Sequence, residues 1–289
     1  MLGKSSLRET TTTAARLAAL LAGATLFVGA TAAQAATVTV TEIAAAAADG
    51  VWGVTDNRAG GASSIVSLVG AGGNLESAAP APTGAARLTT GFSNNDKAQI
   101  GVLGNFGTVR SILADATFAL SYDYHKASVA GGAAAPAPSI KLSFIDPNDP
   151  DSGIPGRGFG TLVYEAYLNQ PGNPATDVWT TVNIDADTGR FWWTGGFGQP
   201  FVSAGDPRRT LREWSTVLDA NFQEATLFDI SVGVGTFNQG QDGYFDLVSI
   251  TRDGAATTWD FEAVPEPASL TLLGVGLAGL AFARRRRKA

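Results

Sequence analysis

The sequence contains no cysteine and a single histidine, His125, among its 289 residues. Without cysteine, disulfide bridges, thiolate metal ligands and cysteine nucleophiles are excluded, and one histidine excludes any site that needs two imidazoles. Charged residues make up only 16% of the chain, below the roughly 25% of an average globular domain. Glycine, in contrast, is abundant at 35 residues. This composition is typical of a β-rich extracellular domain with many turns rather than of a helical cytosolic enzyme.

The first 35 residues have the three parts of a secretory signal peptide. Basic residues precede an apolar run over 17–29, and the small residues Ala33 and Ala35 occupy the two positions that a signal peptidase reads. We expect export by the Sec machinery and cleavage after Ala35. A membrane-anchoring helix is the alternative, and the small residues argue against it.

The chain ends in VPEPASLTLLGVGLAGLAFARRRRKA. Residues 268–283 carry no charge, and the basic cluster that follows consists of Arg284, Arg285, Arg286, Arg287 and Lys288. A helix over this apolar segment would be about 24 Å long, shorter than a hydrocarbon core of about 30 Å. We therefore expect a marginal transmembrane helix, with the basic cluster in the cytoplasm and the rest of the chain outside. A plain tail anchor is the alternative.

Pro265, Glu266 and Pro267, followed by an apolar helix and a basic end, resemble the PEP-CTERM sorting signal. The same tail has also been labelled an ice-binding-protein C-terminal domain. The resemblance covers residues 264–289 and implies cleavage by an exosortase, a membrane transpeptidase, after a transient stay in the inner membrane. It also implies a Gram-negative bacterium that makes exopolysaccharide, and it makes the three motif residues recognition residues.

Removal of both ends leaves a strongly acidic body over residues 36–263. Eight of the 20 cations and two of the 26 acids lie in the end segments, which leaves 12 cations and 24 acids. A net charge of −12 disfavours nucleic acid and anionic lipid as partners. Neutral sugars, bound cations or the absence of any ligand are all compatible with it.

The body contains short alternating or β-branched runs separated by turns of Gly, Pro, Asn and Asp. In ATFALSYDY (116–124), Phe118, Leu120, Tyr122 and Tyr124 share one face by the period of two. Such a pattern predicts strands with one buried and one solvated face. We therefore predict an all-β fold, with a single antiparallel β-sandwich or jelly-roll domain over residues 36–263.

Two further features refine this prediction. Thr210 and Glu213 have the spacing of a capping box at the start of TLREWSTVLDAN, which predicts one short helix lying on the sandwich. The final stretch, a YFDLV strand (244–248) followed by a WDFE strand (259–262), is similar to the end of concanavalin-like and carbohydrate-binding-module jelly rolls.

The sequence RFWWTGGFGQPF contains the sugar-binding candidates, Trp192 and Trp193. On a strand the two indoles must point to opposite faces. If Phe191 and Trp193 line the core, Trp192 lies at the surface, where its ring could carry the C–H face of a sugar. The alternative is that a loop over 194–206 covers both indoles.

The metal candidates are oxygen-bearing side chains, which suit a hard cation such as Ca²⁺. One group is Asp146, Asn148, Asp149 and Asp151 in a single turn. The resemblance to jelly-roll modules adds Asp246, because such modules often place a structural calcium ligand at this position, where it would pair with an acid near the first strand such as Glu42. The first group lacks EF-hand spacing, so a plain surface turn is its alternative. A second turn, over 185–189, is predicted to be a hairpin turn ended by glycine. No other cofactor is expected.

Catalytic motifs are weak. His125 is expected to be structural, and a glycoside hydrolase would need two facing carboxylates, of which Glu165 is the most interesting candidate. We expect a non-enzymatic protein of the cell surface or extracellular matrix that binds exopolysaccharide. A polysaccharide-acting enzyme of hydrolase or lyase type and a purely structural or adhesive subunit are the alternatives.

Overall fold

The computed structural model describes residues 35–146, 148, 158–200 and 206–264 of the chain. Among these residues, thirteen strands form two sheets that enclose one main hydrophobic core. The predicted signal peptide up to residue 34 and the predicted sorting segment from residue 265 lie outside the described residues.

Seven of the described strands form the first sheet. They are β1 (Ala36–Val40), β3 (Gly61–Ser67), β4 (Gly84–Thr90), β6 (Ala119–Lys126), β9 (Trp179–Ile184), β12 (Asp242–Arg252) and β13 (Ala255–Phe261). β12 is central, because β6 lies along one of its edges while β4 and β13 follow each other along the other. β1 pairs with β13 in parallel, with Val40 opposite Phe261. The described strands otherwise pair antiparallel, so the predicted antiparallel sandwich is confirmed except at β1.

The other six described strands form the second sheet. In spatial order they are β10 (Phe191–Trp193), β8 (Phe159–Tyr164), β7 (Ser139–Ile145), β11 (Thr226–Gly235), β5 (Lys97–Leu103) and β2 (Trp52–Val54). On β7, Ile140, Leu142 and Phe144 are at most 1% exposed and point into the core. Because successive side chains alternate, the intervening residues of this strand point to the outer face of the sheet.

The core forms where the inner faces of the two sheets meet. The four residues predicted to share one face of β6, with Phe118 just before the strand, are all buried. Their exposure ranges from 0% at Tyr122 to 4% at Phe118. From the second sheet Trp52 packs across the core against Phe245 and Phe261, with ring centroids 6.1 and 4.9 Å away. Burial of aromatic side chains of this size contributes strongly to the hydrophobic stabilisation of the sandwich.

The described helices are short. They are α1 (Gly73–Ser77), α2 (Val109–Ala114) and α3 (Leu211–Val217), with 3₁₀ turns at Ala166–Leu168 and Ala220–Gln223. The predicted helix is confirmed as α3, where Thr210 and Glu213 form the complete capping box and Trp214 is buried. The sequence did not predict α1 and α2, because five or six residues are too few to show a helical period. Within the described part of the chain, no helix is long and apolar enough to span a membrane.

Candidate functional site

The outer face of the second sheet carries a shallow cavity of about 180 Å³, which we call the outer cleft. Its lining residues are Lys97, Gln99, Ser139, Lys141, Ser143, Thr161, Val163, Glu165, Trp192, Thr194, Gly235, Thr236 and Asn238. They come from five neighbouring strands and the segments that follow them, and apart from a valine, a glycine and an indole ring they are polar. The face of this sheet that turns away from the core is therefore a hydrogen-bonding surface.

Trp192 and Glu165 form one unit in the outer cleft. Trp192 is partly exposed, whereas its neighbours Phe191 and Trp193 are fully buried, so the predicted alternation along this strand occurs. The indole Nε1 of Trp192 donates to Glu165 Oε2 at 3.0 Å, and the Tyr167 hydroxyl donates to the same oxygen at 3.1 Å. The sugar-platform candidate and the most interesting acid, which the sequence suggested separately, are thus in direct contact.

Trp193 does not line the outer cleft. Its ring packs among Phe197, Trp214 and Phe222 at centroid distances of 5.6 to 6.2 Å, and its Nε1 donates to the Gly196 carbonyl at 3.2 Å. The side chain is 0% exposed. The structure therefore corrects the candidate pair to Trp192 alone, because Trp193 belongs to the core.

Burial changes the proton affinity of the Glu165 carboxyl. It raises the pKa of Glu165, against the opposing effect of the hydrogen bonds from Trp192 and Tyr167 and the charge of Lys141. The ionised carboxylate accepts hydrogen bonds, as it does from Trp192 and Tyr167, and only the protonated form could also donate to a ligand hydroxyl.

Lys141 lies near the middle of the outer cleft, on β7. Its ammonium donates to Gln99 Oε1. Burial, and then repulsion from Lys97, lower the pKa of Lys141 to about 7, although Glu165 is the first of several carboxylates that act in the opposite direction. Ammonium and free amine are therefore both populated near neutral pH.

Asp229 lies beneath the outer cleft rather than in its lining. Its Oδ2 accepts hydrogen bonds from Ser143 at 3.0 Å and Ser231 at 3.1 Å, while Oδ1 is buried without a partner among the described residues. The side chain is 6% exposed, and burial raises the pKa of its carboxyl. Asp229 thus orients the hydroxyls of Ser143, which lines the cleft, and of Ser231, but it offers little surface of its own to a ligand.

Sequence reasoning missed Lys141, Gln99 and Asp229. One local signal was present, because SIKLSFI alternates Ser139, Lys141 and Ser143 with three apolar residues. That alternation indicates a strand with a polar outer face. The proximity of Lys141 to Gln99 could not be derived in the same way, since it depends on β11 lying between β7 and β5.

The turn predicted to bind a metal is described only in part, since Asp149 and Asp151 lie outside the described residues. Asp146 is 6% exposed, and its Oδ1 accepts the backbone N–H of Asn148 at 2.9 Å, as in an ordinary Asx turn. The predicted turn over 185–189 also uses an aspartate, because Asp185 Oδ1 accepts two backbone N–H groups. It connects β9 to β10, which belong to different sheets, and so is not a hairpin turn.

Asp246, the remaining metal candidate, lies in the first sheet, far along the chain from that turn. It is 0% exposed at a β-bulge of β12, where Oδ1 accepts from Leu247 and Phe261 and Oδ2 is buried without a partner among the described residues. An unpartnered carboxylate oxygen is a group that a cation would satisfy. Calcium, however, takes six to eight oxygen ligands, and the described residues contain no cluster of three or more His, Asp or Glu side chains that could hold a metal. Glu42, its suggested partner, is exposed. Among the described residues, Asp246 therefore has one free carboxylate oxygen but no surrounding set of acidic side chains.

His125 lies on the first sheet, 2% exposed, with its ring 5.6 Å from Trp179 and 5.8 Å from Tyr244. Burial lowers the pKa of His125. This packing agrees with the structural role predicted from the sequence, and His125 does not contribute to the outer cleft.

The C-terminal segment of the chain matches a known sorting motif, and a few solved structures are weakly similar to the chain. Residues 263–287 match the PEP-CTERM protein-sorting motif. This motif implies export, membrane-associated sorting to the cell surface and processing by an exosortase. None of the curated proteins matches the sequence.

Three solved structures are weakly similar to the chain. A family 11 carbohydrate-binding module from Clostridium thermocellum in complex with a β-1,3-1,4-mixed-linked tetrasaccharide has a TM-score of 0.37 and 12% identity, over 70% of this chain and 88% of that one. The family 11 module of the cellulosomal cellulase Lic26A-Cel5E of the same organism has a TM-score of 0.37 and 13% identity, over 74% and 95%. An exo-β-agarase has a TM-score of 0.33 and 10% identity, over 70% of this chain and 23% of that one.

Proposed function

We propose that this protein is a non-enzymatic component of the cell surface or extracellular matrix of a Gram-negative bacterium, where it binds exopolysaccharide through the outer cleft. The observation that carries the proposal is the pairing of Trp192 with Glu165 on a polar sheet face. An indole edge held by a carboxylate presents a fixed apolar surface beside hydrogen-bonding groups. A sugar ring needs both, since it has apolar C–H patches and hydroxyl groups.

The chemistry of the lining suits hydroxyl groups. Serine and threonine hydroxyls, a glutamine amide and the half-protonated Lys141 can each donate or accept, as sugar hydroxyls also do. The cavity of about 180 Å³ is smaller than the roughly 300–1,000 Å³ of pockets that enclose a whole small molecule. A cleft of this size is suited to holding part of an extended ligand.

The lining favours binding over glycoside hydrolysis. A hydrolase requires two carboxyl groups that face each other across the scissile bond. Glu165 is the only carboxylate among the described residues that line the outer cleft, and Asp229 is buried beneath them with one oxygen committed to two serines. A binding role uses all of these groups without requiring a second acid.

The test is binding of the processed protein, purified from the producing cells, to a glycan array and to the exopolysaccharide of those cells. Trp192→Ala is expected to weaken binding at least tenfold, because it removes both the platform and one of the two hydrogen-bond donors to Glu165. Trp179→Ala is the matched control, since Trp179 is also partly exposed but lies on the outer face of the first sheet. Equal binding by the Trp192→Ala and Trp179→Ala variants would contradict the proposal.

The same preparation tests the sorting step. Mass analysis is expected to show a chain that has lost its basic cluster, residues 284–288, through cleavage near Pro265, Glu266 and Pro267. Recovery of a chain with an intact tail from the cell surface would contradict exosortase processing.

A further inference from the structure

An exposed aromatic ring lies at the end of the outer cleft opposite Trp192. Phe237 is 73% exposed, more than any other large apolar side chain among the described residues. Its two chain neighbours, Thr236 and Asn238, both line the outer cleft. Phe237 is therefore carried between two lining residues of the cavity that contains Trp192 and Glu165, although its own ring is not part of the lining.

The backbone holds Phe237 in a costly conformation. Thr236 has φ = 22° and Phe237 has φ = 65°, so two consecutive residues with side chains lie at positive φ. Positive φ is unfavourable for residues other than glycine and persists only where the surroundings enforce it. An apolar ring in water adds a further cost. Phe237 thus combines an unfavourable backbone conformation with an exposed apolar ring. This combination indicates that the ring has a role other than stabilising the fold.

The loop that carries Phe237 is fixed by hydrogen bonds. The N–H of Thr236 donates to the Asp96 carbonyl at 3.0 Å, and the N–H of Phe237 donates to the Asn94 carbonyl at 2.9 Å. The Thr90 hydroxyl donates to the Asn238 carbonyl at 2.8 Å. Ring exposure therefore does not follow from a loose loop, because the backbone on both sides of the ring is anchored to the end of β4 and to the segment between β4 and β5.

A second exposed ring lies against the same loop. Phe92 is 64% exposed, and a Cβ placed on Gly240 would lie 2.7 Å from its Cε1. One side of the Phe92 ring thus packs on Gly240, where only a glycine leaves room, and the rest faces water. Phe92 is not among the residues that line the outer cleft, so it is not part of the inference that follows.

The register of the second sheet gives the span between the two ends. Trp192 lies opposite Val163, which lies opposite Lys141, which lies opposite Ser231, so Trp192 and Ser231 are three strands apart in one row. β11 then continues to Gly235, just before Phe237. With strands about 4.8 Å apart and about 3.4 Å per residue, the diagonal is roughly 20 Å. This is several times the width of one sugar ring.

We propose that Phe237 is a second aromatic platform, so that the outer cleft binds an extended polysaccharide chain whose separate rings rest on Trp192 and on Phe237. The inference rests on the proposed function and specifies its ligand as a chain of several sugars rather than a single residue or a chain end. The polar residues between the platforms would contact the hydroxyls of the intervening sugars.

The test uses the full-length chain in detergent and, as probe, oligosaccharides of two to eight sugars prepared by partial acid hydrolysis of the exopolysaccharide of the producing cells. Affinity is measured by calorimetry for the wild type, Phe237→Ala, Phe237→Gly and Trp192→Ala. Val69→Ala is the control, since Val69 is 68% exposed in the loop after β3. Phe237→Gly relieves the backbone strain, and it is expected to raise the Tm while it removes the ring.

We expect both Phe237 variants to bind the longest oligosaccharides at least tenfold more weakly and the shortest ones as the wild type does. Trp192→Ala should weaken binding at every length. Unchanged affinity of the Phe237 variants for the longest probes, with a loss in Trp192→Ala, would overturn the second platform and leave the proposed function standing. No binding of any probe by the wild type would overturn both. Self-association of the wild type that Phe237→Ala abolishes, without an effect on sugar affinity, would assign the ring to contact with a second copy and also overturn the inference.

Discussion

Replacement of Lys141 by methionine is expected to stabilise the folded protein at neutral pH. Methionine keeps the length of the side chain and removes the charge, whose burial is unfavourable. The pKa of Lys141 falls from 10.5 to about 7, and at about 1.4 kcal/mol for each pKa unit the ceiling of the effect is about 5 kcal/mol. Because the side chain is partly exposed to water, we expect less than half of this, about 2 kcal/mol.

The dependence on pH distinguishes this effect from improved packing. Lys141 has a depressed pKa in the folded state, so the unfolded chain takes up the proton below about pH 10.5 and the folded protein only below about pH 7. The free-energy cost of burying the charged Lys141 side chain is therefore absent above about pH 10.5, grows as the pH falls towards 7, and is constant below about pH 7. The advantage of methionine should be full at pH 6 and smaller at pH 9.

The assay is urea unfolding of wild type and Lys141→Met at about pH 6, 7.5 and 9, with the free energy of unfolding taken from linear extrapolation. Lys97→Met is the matched control, because Lys97 Nζ lies 2.6 Å from Asp56 Oδ2 and its loss removes an ion pair. The control should be no more stable than the wild type. A Lys141→Met variant without a gain at pH 7.5, or with the same gain at pH 9, would refute the reasoning.

Three further predictions concern the fold. Gly160→Ala should destabilise the protein by about 3 kcal/mol in thermal unfolding, because a Cβ there would lie 2.2 Å from Cζ2 of the buried Trp193; a wild-type Tm would contradict this packing. Thr210→Ala should cost about 1 kcal/mol through loss of the cap of α3, and Thr210→Ser should recover most of it. Burial raises the pKa of Asp246 to about 7. The buried ionised carboxylate therefore destabilises the folded protein increasingly as the pH rises from about 4 to 7. Asp246→Asn should stabilise the protein at pH 8 and leave it nearly unchanged below pH 4. Destabilisation at pH 8 would instead indicate a bound cation.

The period of two along single strands predicted much of the fold. It assigned the buried face of β6 and placed Trp192 and Trp193 on opposite faces of β10, because pleating alone decides which side a residue faces. The capping box likewise located α3, since its two side chains act within one turn. Features that depend on neighbouring segments in sequence were therefore accessible.

Features that depend on pairing between distant strands were not accessible. The parallel contact of β1 with β13 joins residues at opposite ends of the body, and nothing in either segment specifies the direction of its partner. Lys141 meets Gln99 only because β11 separates their strands. Phe237 also escaped notice, because positive φ at residues other than glycine is set by the hydrogen bonds of the loop and has no pattern in the sequence.

The position of β13 determines how the body would respond to a pull from its tail. β13 is flanked by β1 on one edge and β12 on the other, and it ends at Phe261, two residues before the matched sorting motif. Tension transmitted through the tail would act along the axis of β13. The backbone hydrogen bonds of both ladders lie across that axis, so they would resist in shear together instead of opening one after another. The end of the body that precedes the sorting motif is thus a junction that resists pulling.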